Sequence, residues 1–231
     1  NKDFSKYDVY KIGYTMPALL HTDRVLVGRD ARLSSPEIYD YLCSGINDAG
    51  ADVYDIGLST TPMVYYITAK YGFPASVQIT ASHNSKEYNG MKISKTGALP
   101  VGYESGLSDL ERMVSEKPSG DDRAGKPTSK KGTIRAFQVR DEYIAYLQKF
   151  APKSSAAIGV DCSNGMASLL IKDILGEAPH YLFDTLDGTF PNHEPNPLIE
   201  ENVAAIKQLV KDEKLDLSII FDGDGDRVMF I

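Results

Sequence analysis

At 231 residues, with 42% hydrophobic and 25% charged residues, the chain is long for one domain and comfortable for two with real cores. A formal net charge of −7 and a pI near 5.1 argue against a nucleic-acid partner, which needs a basic face. No apolar run approaches the ~20 residues that cross a bilayer, and no signal-peptide pattern opens the chain.

The opening stretch, Phe4 to His21, spaces Phe4, Tyr7, Tyr10 and Tyr14 as a helix does, but Pro17 predicts a kink or a break. Val25 to Val27 reads as a buried strand. A helix follows from Pro36, with Ser35 placed to cap it and Glu37 to complement its dipole. Ile38, Leu42 and Ile46 mark its buried face. A strand at Val53–Ile56 leads to a helix from Pro62, with Val64, Ile67 and Tyr71 facing inward, and a third strand, Ala75–Thr80, runs into Ala81-Ser82-His83-Asn84.

Residues 117–132 read as a linker, rich in proline and glycine and without periodicity. The order then recurs. A helix carrying Tyr143, Leu147 and Phe150 precedes a strand at Ala156–Val160, a helix at Met166–Leu175 and a strand at His180–Phe183. After a proline-rich loop come a helix with Val203, Ile206 and Val210 and a strand, Leu215–Phe221, that ends at Asp222. Strands alternating with helices predict two successive three-layer α/β/α domains, 1–132 and 133–231, with mixed, largely parallel sheets. Ligands in such sheets sit beyond the strand carboxyl ends, where both polar loops fall.

Asp222-Gly-Asp224-Gly-Asp226-Arg227 carries the most chemistry. Three carboxylates at alternate positions repel one another unless a cation holds them, and the glycines let the backbone wrap an ion. Hard oxygen ligands suit Mg²⁺ or Ca²⁺. An EF-hand is excluded, because a strand precedes the loop and Arg227 stands where the turn glycine belongs. The plain alternative is a solvated acidic turn.

Ser82, at a strand tip, reads as exposed and mobile; without a Gly-x-Ser-x-Gly elbow it does not fit a hydrolase triad. Beside a metal loop its oxygen can be nucleophile and ligand, and a phosphate there would be balanced by Mg²⁺, Arg227 and Lys92. Lys92 fits equally a solvent-facing strand lysine. Arg29 and Arg32 hold a phosphate or steady the neighbouring loops; the plain alternative is an Arg–Asp pair that braces a turn with Asp30. Cys162-Ser-Asn-Gly165 is a strand-to-helix turn, His193 reads as structural, and Lys126–Arg135 as a solvated loop. Two cysteines, Cys43 and Cys162, without zinc-ligand spacing fit a reducing, cytoplasmic setting. Gly120 to Lys126 spells a P-loop, but Pro127 replaces its Ser/Thr and no strand precedes it; GxGxxG does not occur.

Thr80-Ala-Ser-His-Asn84, Tyr88-Asn-Gly-Met-Lys92 and Asp222–Arg227 together resemble the phosphoglucomutase/phosphomannomutase (α-D-phosphohexomutase) family, as do Gly28–Ser35 and Phe190–His193. The resemblance spans nearly the whole chain and implies the first two of four domains. It implies that Ser82 is phosphorylated, that Asp222, Asp224 and Asp226 join it on Mg²⁺, that Arg227 lies beside the phosphate, and that Lys92 and His83 are proton-transfer candidates. It further implies interconversion of hexose 1-phosphate and 6-phosphate, of glucose or mannose, with a hexose 1,6-bisphosphate as phosphoryl donor and intermediate. Ser85 departs from the family, where proline is common, which predicts a looser serine loop. The family's early strand with its active-site arginine and its later sugar- and phosphate-recognition loops fall outside this sequence. The expectation is therefore a fragment that binds metal but turns over poorly. The competing readings are a metal-dependent sugar-phosphate phosphatase and a non-catalytic phosphosugar-binding regulator.

Overall fold

The structure, a computed structural model, describes residues 4–116, 130–151 and 155–231. Most of the expected linker, 117–129, and the P-loop look-alike lie outside the described residues.

Helix α1 (Lys6–Leu19) is continuous through Pro17, against the expected break. Pro17 lies in the last turn, so its missing N–H forfeits only the bond toward Gly13, while packing on the next helix holds the rest. That packing is close. A Cβ on Gly13 would sit 2.2 Å from the Leu42 carbonyl oxygen, and one on Gly45 2.2 Å from that of Tyr10. Strand β1 (Arg24–Arg29), α2 (Ser35–Asp48), β2 (Asp52–Leu58), α3 (Thr61–Lys70) and β3 (Ala75–Ile79) follow in the expected order. Ser34, not Ser35, is the N-cap of α2, and it makes no side-chain cap, while the Ser35 hydroxyl donates to Asp30 instead (2.6 Å). Tyr71 is partly exposed rather than inward, because it lies just past α3 and hydrogen-bonds Glu142.

Strand β4 (Met91–Lys95) returns antiparallel on β3, and β5 (Leu99–Pro100) pairs with it before α4 (Leu107–Ser115). Strand β6 (Ile134–Ala136) lies past the expected boundary at 132, yet it joins β2 in parallel and completes a six-stranded sheet, β5-β4-β3-β1-β2-β6. The stretch expected as a solvated loop therefore ends in a strand. Arg135 and Lys131 reach back to Asp52 and Asp48.

The second unit runs α5 (Arg140–Leu147), β7 (Ile158–Asp161), a 3₁₀ turn at Met166–Leu169, α6 (Ile171–Leu175), β8 (His180–Leu182), α7 (Ala204–Glu213), β9 (Leu217–Phe221) and β10 (Val228–Phe230). The helix expected over 166–175 is thus split, and Phe150 lies exposed past α5. The sheet order is β10-β9-β7-β8, antiparallel only at β10.

Both sheets are covered on both faces. Val25, Val27, Val53 and Val77 pack toward α1, α2 and α4; Leu26 packs toward α3 and α5 with Val64, Ile67 and Tyr143. In the second sheet Val160 meets Ile171 of α6, and Ile220 meets Ile206 of α7. Leu169, Leu170 and Ile174 join the core under α3 and α5, so the two units share apolar contacts. This docking turns the carboxyl ends of β1–β3 toward the end of β9.

Candidate active site

Strand β3 is buried along its whole length and delivers its chain end to a buried position. Ser82 there is 6% exposed, not mobile at the surface as its sequence context suggests. It adopts φ +53°, a left-handed conformation that costs a non-glycine residue about 1–3 kcal/mol unless its surroundings hold it. They do. Arg32, 1% exposed, donates to the carbonyl oxygens of Ser82 (2.8 Å), Asn84 (2.8 Å), Ser85 (2.7 Å) and Tyr88 (3.1 Å), and its Nε donates to Asp30 (3.0 Å). Each guanidinium donor finds an acceptor. Of the two readings of this arginine, brace and phosphate holder, the bonds favour the brace. Because it grips carbonyls, its hold on Ser85 does not depend on that side chain. Arg29 turns elsewhere, toward Asp55 (3.5 Å) and the face of Tyr39.

The aspartate loop is built around its first residue. Asp222 Oδ1 accepts the backbone N–H groups of Asp226 and Arg227, both at 3.1 Å, and Gly225 supplies φ +74° for the turn. The carboxylates of Asp222, Asp224 and Asp226 offer oxygens that all lie within 4.8 Å of one another. Burial, then the charges of Asp224 and Asp226, push the Asp222 carboxyl up to about 7. Burial also opposes ionisation of Asp224, but Lys92 and the Thr61 hydroxyl outweigh it and hold that carboxyl below its usual range. Asp224 Oδ1 is buried with no hydrogen-bond partner. A set of hard oxygens with one left unpartnered fits a small divalent cation such as Mg²⁺.

The loops meet directly. Ser82 Oγ donates to Asp222 Oδ2 at 2.9 Å, across 140 residues of sequence. A Cβ on Gly223 would sit 2.5 Å from the Ser82 carbonyl oxygen, so the first glycine of the loop is required by the approach itself. Lys92, on β4, donates to Asp224 Oδ2 (2.7 Å) and Asp226 Oδ2 (2.5 Å). Arg227 Nη1 donates to His83 Nδ1 (2.8 Å), and burial followed by the Arg227 charge lowers the proton affinity of that imidazole. Every residue singled out around Ser82 and Asp222 thus lies at one junction. His193 does not. It packs on Asp161 (3.1 Å), at the end of β7, in keeping with a structural part.

One participant, Thr61, escapes the sequence reading, which starts that helix at Pro62; its N–H donates to the Asp224 carbonyl (3.0 Å) and its hydroxyl to Asp224 Oδ2. Nothing local to Thr61 points to a partner 163 residues away.

Two family models match, described as Phosphoglucomutase/phosphomannomutase, alpha/beta/alpha domain I, over residues 1–117, and domain II, over 141–231. A phosphomannomutase of Salmonella montevideo is 34% identical over 231 residues, covering 94% of this chain and 49% of the relative. A phosphomannomutase/phosphoglucomutase of Pseudomonas syringae pv. tomato is 36% identical over 208 residues, 88% of this chain and 43% of the relative. The crystal structure of a phosphoglucomutase/phosphomannomutase family protein from Burkholderia thailandensis superposes with a TM-score of 0.85 at 28% identity, over all of this chain and 52% of that one. The chain spans about half the length of the curated relatives it matches.

Proposed function

We propose that this chain, which belongs to the phosphoglucomutase/phosphomannomutase family, carries the phosphoryl-transfer half of a phosphohexose mutase. The observation that supports this most is the Ser82 hydroxyl 2.9 Å from Asp222 in a three-carboxylate loop. Phosphorylated Ser82 gives its phosphoryl group to the free hydroxyl of a hexose monophosphate. The Ser82 Oγ–P bond breaks, a sugar O–P bond forms, and the hydroxyl proton leaves to a nearby base. The hexose 1,6-bisphosphate turns over, Ser82 Oγ attacks its other phosphorus, and the isomeric monophosphate departs with Ser82 phosphorylated again.

Asp222, Asp224 and Asp226, with the oxygen on Ser82, would hold Mg²⁺. When bound, that ion neutralises charge building on the transferring phosphoryl oxygens. Arg227 adds positive charge beside it, Lys92, which donates to Asp224 and Asp226, is the first proton-transfer candidate, and His83 on the serine loop is the second. Positioning and charge stabilisation carry most of the catalysis in such a transfer. Relatives named phosphomannomutase make mannose and glucose phosphates the substrates to try first. Among the described residues no helix is long and apolar enough to cross a membrane, which fits phosphorylated sugars in water.

Incubation of the full-length protein with glucose 1,6-bisphosphate should add one phosphoryl group, mapped to Ser82 by peptide mass spectrometry. Ser82→Ala should abolish both this and mutase turnover, by about 10³-fold or more. Phosphate persisting in Ser82→Ala would remove the nucleophile. Inorganic phosphate as sole product would hand the site to a phosphatase, and metal binding without phosphoserine to a regulator.

A further inference from the structure

We infer that Thr61 is a positioning residue for the aspartate loop: it restricts Asp224 to ligation through Oδ1 alone, and so favours Mg²⁺ over Ca²⁺. The inference rests on the metal reading above.

The two oxygens of Asp224 stand in different surroundings. Oδ2 accepts from Lys92 Nζ at 2.7 Å and from the Thr61 hydroxyl, while Oδ1 is buried without a partner. A carboxylate oxygen has about two lone-pair sites, so both on Oδ2 are used. Thr61 is itself fully buried and cannot swing away into solvent. Its backbone N–H donates to the Asp224 carbonyl at 3.0 Å, which fixes the main chain of the same residue. The neighbouring Thr60 side chain lies against Gly225, where an added Cβ would meet it at 3.3 Å. The N-terminal end of α3, in the first unit, thereby grips the loop of the second at main chain and side chain together.

This matters for ion choice. Mg²⁺ demands near-octahedral geometry at about 2.0–2.1 Å, whereas Ca²⁺ accepts six to eight oxygens and takes carboxylates readily in bidentate fashion. Occupying Oδ2 closes the bidentate mode at Asp224. Hydrogen bonds to the outer oxygen also orient the inner one, a service whose loss costs metal sites about 10–100-fold in affinity.

Titration calorimetry of the full chain with Mg²⁺ and, separately, Ca²⁺ tests this in wild type, Thr61→Val and Thr61→Ser. Thr61→Val keeps the shape and removes the hydroxyl. It should weaken Mg²⁺ by about tenfold or more and weaken Ca²⁺ less, so that the Mg²⁺/Ca²⁺ ratio falls. Thr61→Ser should retain the wild-type ratio. Thermal unfolding of each apo variant verifies folding, and where the valine variant does not fold, Thr61→Ala replaces it against Thr61→Ser. A variant without the hydroxyl that keeps the wild-type ratio overturns the inference and leaves the metal reading standing. Equal weakening of both ions, or equal losses in the serine variant, also overturns it, since packing alone would then explain the effect. Wild type that binds neither ion overturns the metal reading and this one with it.

Discussion

Beyond β1 the buried Asp30 is met by Arg32, a cation of this chain whose donors are all used; beyond β9 Asp224 and Asp226 share the ammonium of Lys92, with Arg227 farther off at 3.9 Å from Asp222 and Asp226. Arg32 holds the serine loop beyond β3, and that loop and the aspartate loop each bury their leading residue, Ser82 and Asp222, and each contains a residue in the left-handed region, Ser82 and Gly225. They differ in electrical completeness. The serine loop is stiffened by the protein's own charge, so Ser82, the proposed nucleophile, is held before any ligand arrives. The aspartate loop concentrates like charges, and that concentration is what the proposed cation would relieve. A residue of the first kind should therefore matter to folding, and one of the second kind to binding.

The sharpest way to break this contrast is Arg32→Met. It leaves Asp30 buried without its cation and takes the Arg32 donors from four carbonyls of the serine loop, of which that of Ser85 keeps the Tyr88 N–H. Removing one partner of a buried ion pair costs about 3–5 kcal/mol, and urea denaturation should register a loss of that order. Arg32→Lys should recover little of it, because an ammonium cannot reproduce the planar fork. A loss below about 1 kcal/mol, the size of one ordinary hydrogen bond, would mean that the serine loop stands without its arginine.

Asp224→Asn should weigh the other way, costing binding more than folding. Lys92 and the Thr61 hydroxyl hold the Asp224 carboxyl below its usual range, so the neutral amide should lose some stability without metal, less than Arg32→Met does, because Lys92 keeps Asp226. Mg²⁺ affinity should fall by more than about 100-fold, past the range expected for an outer-shell loss. Calorimetry on wild type and variant decides it, and equal affinities would remove the metal assignment.

How much of this was legible follows the range of the interactions. The alternation of buried strands and helices, and the polar loops at the ends of β3 and β9, depend on neighbours in sequence and could be read directly. Pro17 and Ser35 misled because tertiary packing outweighed local preference. The α1–α2 contact at Gly13 and Gly45 carries the helix past its proline, and Asp30 competes for the serine hydroxyl. Ser82 looked exposed because its context is polar, whereas its burial comes from Arg32 and Asp222, 50 and 140 residues away. Thr61 shows the same limit, since its partner becomes visible only when the carboxyl ends of the two sheets' strands meet.

A third carboxylate at a strand end sharpens the comparison by the smallest margin. Asp161 closes β7, next to β9, and His193 lies on it. His193 Nε2 faces the Asp161 carboxylate at 3.1 Å and Nδ1 faces the Glu194 carbonyl at 2.8 Å, with the Phe183 ring against its edge. Both nitrogens meet acceptors, so only the doubly protonated imidazolium donates to both. Burial opposes that charge, but the hydrogen bonds to Asp161 and Glu194 and the Asp161 charge outweigh it and raise the pKa above 6.5. Because the folded-state value is the higher one, the stabilisation is fully present below about pH 6.5, the unfolded value, and is lost as pH rises through the folded pKa. Urea denaturation of wild type and His193→Gln from pH 5.5 to 9 isolates it, since titrations common to both cancel in the difference. The gap should be about 1.5–3 kcal/mol at the acid end, the worth of one charged hydrogen bond, and should shrink toward pH 9. A gap that stays constant, or widens with pH, would mean that His193 is neutral in the fold and that Asp161, unlike Asp30, has no cation of its own.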